Sequence, residues 1–345
     1  MTYKVNGETA AMVYNNASDP RSKTPEFLSY VNSAIAYVNA AQLITDPTLF
    51  GDQVMANLSA SAATLVPSHD EGVLNGYKAT YTQYGTTLLQ SNAGQVELLF
   101  STTGTSSGTD TIQIQVALQR PFSHGHIWVN STDPFAPPII DPAYLSHPAD
   151  MALLREGLKM ARRIGATAPL SSFVVAEVVP GPNITSDNDI ENWLRGDVHT
   201  ECVYSLNNFS KLGYWLTRCP RTCRFHPSCT CSMLPQNMGG VVDAKLHVYG
   251  VSNLRVVDAS VFPIEWAAHM MAPTYGLAEK AAEIIAADFN SRVGLNSNNS
   301  DGSGNGNDNG NSNSNSKSKG ASAKVTVCPM RLAFVVLFGA IMAAL

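Results

Sequence analysis

Two histidines have the residue type and the setting for acid/base chemistry. His269 lies in His269-Met270-Met271, a short loop just ahead of Pro273, and His226 lies in the polar, cysteine-rich stretch Phe225-His-Pro-Ser-Cys-Thr-Cys-Ser-Met233. Between them, Leu254-Arg-Val-Val-Asp258-Ala-Ser260 reads as a short buried strand whose apolar run ends in a carboxylate and a hydroxyl. Ligands of open α/β sheets gather at such carboxyl ends, and an imidazole titrates near neutral pH. Two loop histidines flanking that strand form a candidate acid/base pair. The alternative is a pair of hydrogen-bonded structural histidines among the eight in the chain. Pro273 suits the first turn of a helix running through Leu277, Ala281, Ile284 and Ile285, whose N-terminus beside His269 would favour negative charge.

The cysteines offer a second chemistry. Cys219, Cys223, His226, Cys229 and Cys231 crowd together, but C-x3-C-x2-H-x2-C-x-C matches neither paired C-x2-C nor H-x3-5-H, so no metal ligands are assigned. Disulfide pairing in an oxidising compartment is the other reading.

The elements that must hold these loops are legible upstream. From Gln95 to Gln119 the pattern is β: VELLFST, a Gly/Ser turn, then TIQIQVALQ with Ile112, Ile114 and Val116 alternating with polar residues. With a third run, His126 to Asn130, this predicts an antiparallel sheet with one solvated face. Ser146 offers an N-cap, Met151, Leu154, Leu158 and Ala161 fall at helical spacing, and Gly165 supplies a stop, which predicts an amphipathic helix laid on the sheet. Helical segments are expected around Pro25 to Gln42 and Asn57 to Leu65, and Ala166 to Arg195 reads as turn-rich. The fold class is therefore α+β, an antiparallel sheet with packed helices.

Composition bounds the rest. The 345 residues are 44% hydrophobic and 14% charged, with a net charge of -5, enough to build a core and without the basic field that nucleic acid requires. Met1 to Ala10 is polar and is no secretory signal. Ser297 to Ser316 contains only Asn, Ser, Gly and Asp and reads as a flexible stalk. Gly320, Ala321 and Ser322, a spacer, and the fourteen apolar residues Leu332 to Leu345 fit a lipid-anchor attachment signal, with a short hydrophobic anchor as the alternative. Six N-x-[ST] sequons begin at Asn16, Asn57, Asn130, Asn183, Asn208 and Asn298, which suits an extracellular or cell-surface glycoprotein. An anchor without an entry signal suggests that Met1 is not the natural start.

Three separated motifs carry a family resemblance. RPFSHGHIWVNSTDPFAPPIIDPAYLSHP (Arg120 to Pro148), FHPSCTCSM followed by GGVVDAKLHVYGVSNLRVVDASVFP, and AAHMMAPTYGLAEKAAEII together resemble the C-terminal half of the glucose-methanol-choline oxidoreductases, over roughly Gln95 to Ala287. The resemblance implies an FAD enzyme that oxidises CH-OH groups of alcohols or sugars, with oxygen or a quinone as the final acceptor. It implies a substrate domain built on the antiparallel sheet, plus the C-terminal strands and helix of an FAD-binding α/β domain. By this resemblance His226 takes the substrate hydroxyl proton while hydride passes to the flavin, and His269 holds the substrate oxygen. Asp258 and Ala259 approach the FAD, and the backbone at Met270 and Met271 lies near the flavin's pyrimidine edge. The 43-residue interval between the histidines suits the same pattern.

The departures are as specific. No G-x-G-x-x-G occurs, so the family's diphosphate cradle is missing, the fold is expected to be incomplete and this chain alone is expected not to retain FAD. Glu201 to Arg224 looks inserted. The expected layout is a partial substrate-domain helical region (1–90), the family's C-terminal region (91–290), the stalk (291–319) and the anchor signal (320–345). A non-catalytic glycosylated surface or wall protein on the same scaffold is the competing function.

Overall fold

The computed structural model describes residues 1–6, 18–23, 33–101, 111–198, 228–267 and 269–292. In chain order the principal elements are β1 (Thr2–Val5), β2 (Ser33–Val38), α1 (Ala40–Leu43), α2 (Pro47–Ala56), α3 (Leu58–Leu65), α4 (Glu71–Thr82), β3 (Val96–Ser101) and β4 (Thr111–Leu118). There follow β5 (His126–Trp128), β6 (Ile139–Asp141), α5 (Pro148–Gly165), β7 (Val174–Val179), α6 (Asp187–Asp197) and α7 (Met271–Arg292). Short polar residues start the helices. The side chains of Asn39, Asp46 and Asp70 accept the backbone N–H of Gln42, Leu49 and Val73 at the heads of α1, α2 and α4.

Five strands form one sheet in the order β2-β3-β4-β1-β7, every neighbour antiparallel. Pairing β3 with β4 follows the sequence reading. Other parts of the sheet differ from it. Ser33–Val38, inside the stretch expected to be helical, is a strand, because its apolar run pairs with β3 residue for residue, from Ser33 opposite Ser101 to Val38 opposite Val96. Residues 166–195, expected to be turns, contain β7 and α6. The run from His126 does not join this sheet but pairs with β6 in a separate hairpin. The cause is local: Pro121 has no N–H for a ladder, and Asp150 captures the next two N–H groups, of Phe122 and Ser123, at 2.8 Å each.

Helix α5 covers one face of the sheet. Met151, Leu153, Leu154, Leu158 and Ala161 pack on Val96, Leu98, Ile112 and Ile114 from β3 and β4. Each buried Leu or Met contributes about 1.5–3 kcal/mol. Gly157 lets the helix settle, since a Cβ there would lie 2.6 Å from Val116. The helix starts one residue later than expected. His147, not Ser146, is the N-cap, and its Nδ1 accepts the Ala149 N–H at 3.1 Å.

That acceptor role dictates the rest of the imidazole. With Nδ1 unprotonated, Nε2–H donates to the Tyr81 hydroxyl at 2.9 Å, and Tyr81 donates to the Val54 carbonyl at 2.7 Å. A buried chain of hydrogen bonds thus joins α5, α4 and α2, walled by Phe122. Burial holds both His147 and His124 down at about 4, and pushes the Asp150 carboxyl up to about 6. The unfolded chain binds protons at these two histidines below their ordinary value near 6.5, the folded chain only near 4, so they remove stability as pH falls through that window. Asp150 acts in the opposite sense, gaining stability as pH falls through about 6. Asparagine at 147 keeps a cap oxygen and removes the titration. His147→Asn is expected to cost about 1–3 kcal/mol at pH 7 and to flatten the acid loss of stability, as measured by urea unfolding at pH 7 and pH 5.

Candidate active site

Alternation along β3 sends Val96 and Leu98 toward α5 and Glu97 to the opposite face. Tyr37 and Ala117 stand beside Glu97 in the register. This is the face read from sequence as solvated. At its centre, however, the Glu97 side chain is 0% exposed, because the loop before α7 covers it: His269 Nε2 lies 3.3 Å from Glu97 Oε1. His269 itself is 30% exposed, so the imidazole rests on a dehydrated carboxylate and opens on its other side. Such a pair can orient the ring and share a proton with a bound oxygen.

The segments around this pair are pinned by backbone. From Ser228 the chain runs beside residues 259–261, with Cys229, Cys231 and Met233 donating to Ala259, Ser260 and Val261 carbonyls at 3.3, 2.8 and 2.8 Å. It then turns at Gly239, φ +69, and Gly240, where a Cβ would lie 1.8 Å from the Leu234 carbonyl oxygen. Only glycine permits that approach, which closes the turn through Val241 N–H to Ser232 O at 2.9 Å. Asp258 caps the short 3-10 turn Ala259–Val261 through the Ser260 N–H at 2.8 Å. Arg255 binds Asp288 at 2.6 Å and fastens this region to α7. The Cys229 thiol is pushed up to about 12 by burial, which makes it a poor nucleophile.

The sequence candidates are therefore placed unequally. His269 is set against Glu97, and Met270 is buried directly before α7. Met271, the first residue of that helix, is 71% exposed. Asp258 is exposed and Ala259 partly so, both beside the segment that follows His226. His226, Cys219 and Cys223 lie outside the described residues, and with them the expected proximity of the two histidines. The strand expected at Leu254 to Ser260 does not form. Arg255 makes a single bridge to His247, and Leu254 and Val257 are exposed, because no neighbouring strand among the described residues continues the ladder. Sequence reasoning missed Glu97. The signal was a lone carboxylate amid VELLF, on the face of β3 that does not meet α5.

The family model for GMC oxidoreductase, C-terminal region, matches residues 121–278. This part of the chain belongs to the GMC oxidoreductase family. A GMC oxidoreductase family protein of Malassezia sympodialis, Mala s 12, is 39% identical over 259 residues, 74% of this chain and 37% of that protein. Pyranose dehydrogenase 3 of Leucoagaricus meleagris is 39% identical over 168 residues, 48% of this chain and 24% of its own. Among solved structures, an FAD-dependent oxidoreductase from Chaetomium thermophilum superposes with a TM-score of 0.65 at 22% identity, over 84% of this chain and 47% of that one. That likeness shows the fold. The chain thus spans about a quarter to a half of the length of these GMC and flavin relatives.

A carboxylate buried within a β-sheet opposes stability. Replacing a buried ion pair by apolar residues of similar volume is commonly neutral or stabilising by about 1–4 kcal/mol, whereas removing one partner alone is destabilising. The double change Glu97→Leu/His269→Leu is therefore expected to leave urea-unfolding stability unchanged or raised, and a loss of several kcal/mol would show that the pair is needed for folding.

Proposed function

We propose that this region forms the substrate side of an FAD-dependent oxidoreductase acting on CH-OH groups of alcohols or sugars. The observation that carries the reading is His269, seated on the buried Glu97 carboxylate beside the start of α7. The kinship with GMC enzymes, a pyranose dehydrogenase among the relatives, supports it.

The described residues fit one edge of FAD. The 22-residue helix α7 carries partial positive charge at its N-terminus, and its first turn holds no acidic side chain to offset it. Met270, Met271, Asp258 and Ala259 would border the ring system there. FAD supplies a hydride acceptor when bound. In the proposed reaction His226 accepts the substrate hydroxyl proton, His269 donates a hydrogen bond to the substrate oxygen, and Glu97 holds the His269 ring in place. Oxygen or a quinone is the proposed final acceptor.

For the diphosphate the fit fails within these 345 residues, which hold no G-x-G-x-x-G turn. We propose that its cradle lies outside them and that this chain alone does not retain FAD. Helix α7 agrees with that. It is apolar on two sides, with Leu277 and Ala281 turned to the Val242, Leu246 and Val261 cluster and Met271, Tyr275, Ile285 and Phe289 exposed. The exposed stripe suits packing against the rest of a flavin domain.

A surface location is proposed on separate grounds. The sequon residues Asn57, Asn130 and Asn183 are all exposed, as glycan acceptors must be. No helix among the described residues is long and apolar enough to cross a membrane. Anchorage through the tail after residue 320 remains part of this proposal.

In the family-length protein containing these residues, His226→Ala is expected to keep bound flavin while anaerobic flavin reduction by alcohols or sugars slows at least about 100-fold. Normal reduction in that variant removes His226 from the mechanism, and absence of flavin binding in the unmutated protein removes the enzyme. Protein expressed through a secretory host is expected to shift in mass on endoglycosidase treatment, a shift that diminishes when Asn57, Asn130 and Asn183 are changed to Gln.

A further inference from the structure

Glu265 connects the segment that begins at Ser228 with the loop that carries His269. Ser228, two residues after His226 in the sequence, donates its hydroxyl to Glu265 Oε2. Glu265, four residues before His269, donates its backbone N–H to the Tyr84 hydroxyl at 2.7 Å. Tyr84 is buried in the π-helical turn Gln83–Leu88 that prolongs α4, with its ring edge-on to Phe122. Beyond Ser228, the backbone bonds from Cys229, Cys231 and Met233 carry the same rigidity to residues 259–261. One side chain therefore ties the segment following His226 to the segment preceding His269, and its backbone ties both to the core.

Neither segment is held by regular secondary structure. Residues 262–267 form no helix or strand, and Cys229, next to Ser228, stands at φ +66, a conformation that a residue with a side chain keeps only where its surroundings impose it. A hydroxyl donating to a carboxylate is a charge-assisted bond of defined direction. Catalytic groups on loops need such support, since misplacement by about 1 Å lowers rates about 100-fold.

We propose that Glu265 is a positioning residue of the site, its side chain latching the Ser228 hydroxyl so that the segment beginning at Ser228 and the loop bearing His269 keep one fixed separation. The latch itself stands on described contacts; its catalytic purpose rests on the functional reading above. Glutamine at 265 retains an acceptor oxygen at the same reach, alanine does not, and Ser228→Ala removes the donor from the other side. The two alanine changes act on one contact, so combining them adds little to either alone.

The test is hydrogen exchange on the full chain, which needs no flavin. Amides of residues 229–233 and 265–270 are expected to exchange about tenfold faster in Glu265→Ala and Ser228→Ala and at the parent rate in Glu265→Gln, with β3 and α5 unchanged throughout. Parent-like exchange in both alanine variants overturns the latch. Should Glu265→Ala loosen β3 and α5 as well, Ser228→Ala, which deletes one oxygen atom, reads the same contact. In the flavin-loaded, family-length protein the alanine variants are expected to slow flavin reduction at saturating substrate about tenfold with little change in KM, and Glu265→Gln to restore it. Faster exchange with unaltered reduction overturns the positioning role. A parent protein that reduces no flavin defeats the functional reading, and with it the catalytic purpose of the latch, while the exchange result still reports on the contact.

Discussion

Taking a carboxylate out of water at the middle of a β-sheet opposes folding by several kcal/mol unless something nearby compensates it. Glu97 is such a carboxylate, and its compensation includes the imidazole of His269, brought from 172 positions further along the chain. Much of the architecture answers that one demand. The sheet must present Glu97 on the face away from α5, the last helix must begin where its preceding loop crosses that face, and the loop must be stiff enough to keep the ring at 3.3 Å. An arrangement that opposes stability and sets a half-buried histidine against a carboxylate serves geometry rather than stability.

The two faces of the sheet divide the labour. On one, aliphatic residues of β3 and β4 meet α5 in a dry core that supplies the folding free energy. On the other, Glu97 stands between Tyr37 of β2 and Ala117 of β4. The corner between α2, α4 and α5 is a third environment, where Tyr81, His147 and Asp150 satisfy backbone groups that the chain's turns leave without ladder partners. Its histidines are structural. His147, within the sequence run that carries the family resemblance, spends its lone pair on a helix cap.

The likeness to GMC oxidoreductases sets these features beside proteins considerably longer than this chain. The matched residues hold the hairpin β5–β6, helix α5, the edge strand β7 and the first part of α7, and the relatives extend well beyond the share that this chain covers. The contacts joining Ser228, Glu265 and Tyr84 show how separate loops of such a region can be held to one core without a strand or helix passing through them.

The sequence by itself determined the helix on the sheet, the pairing of β3 with β4, the helix from Pro273 and the family, because each rests on local periodicity, capping residues or contiguous motifs that need no distant partner to be read. It also singled out His269. Tertiary structure alone decided that Ser33–Val38 is a strand, that the His126 run leaves the sheet, and that Leu254 to Ser260 is no strand, since a strand exists only where a partner edge is offered. Above all it decided that Glu97, a polar residue in an alternating strand and so apparently turned to water, is buried beneath His269. Alternation tells which face of a sheet a residue occupies, whereas what covers that face is settled by a loop far along the chain, and no local pattern carries that information.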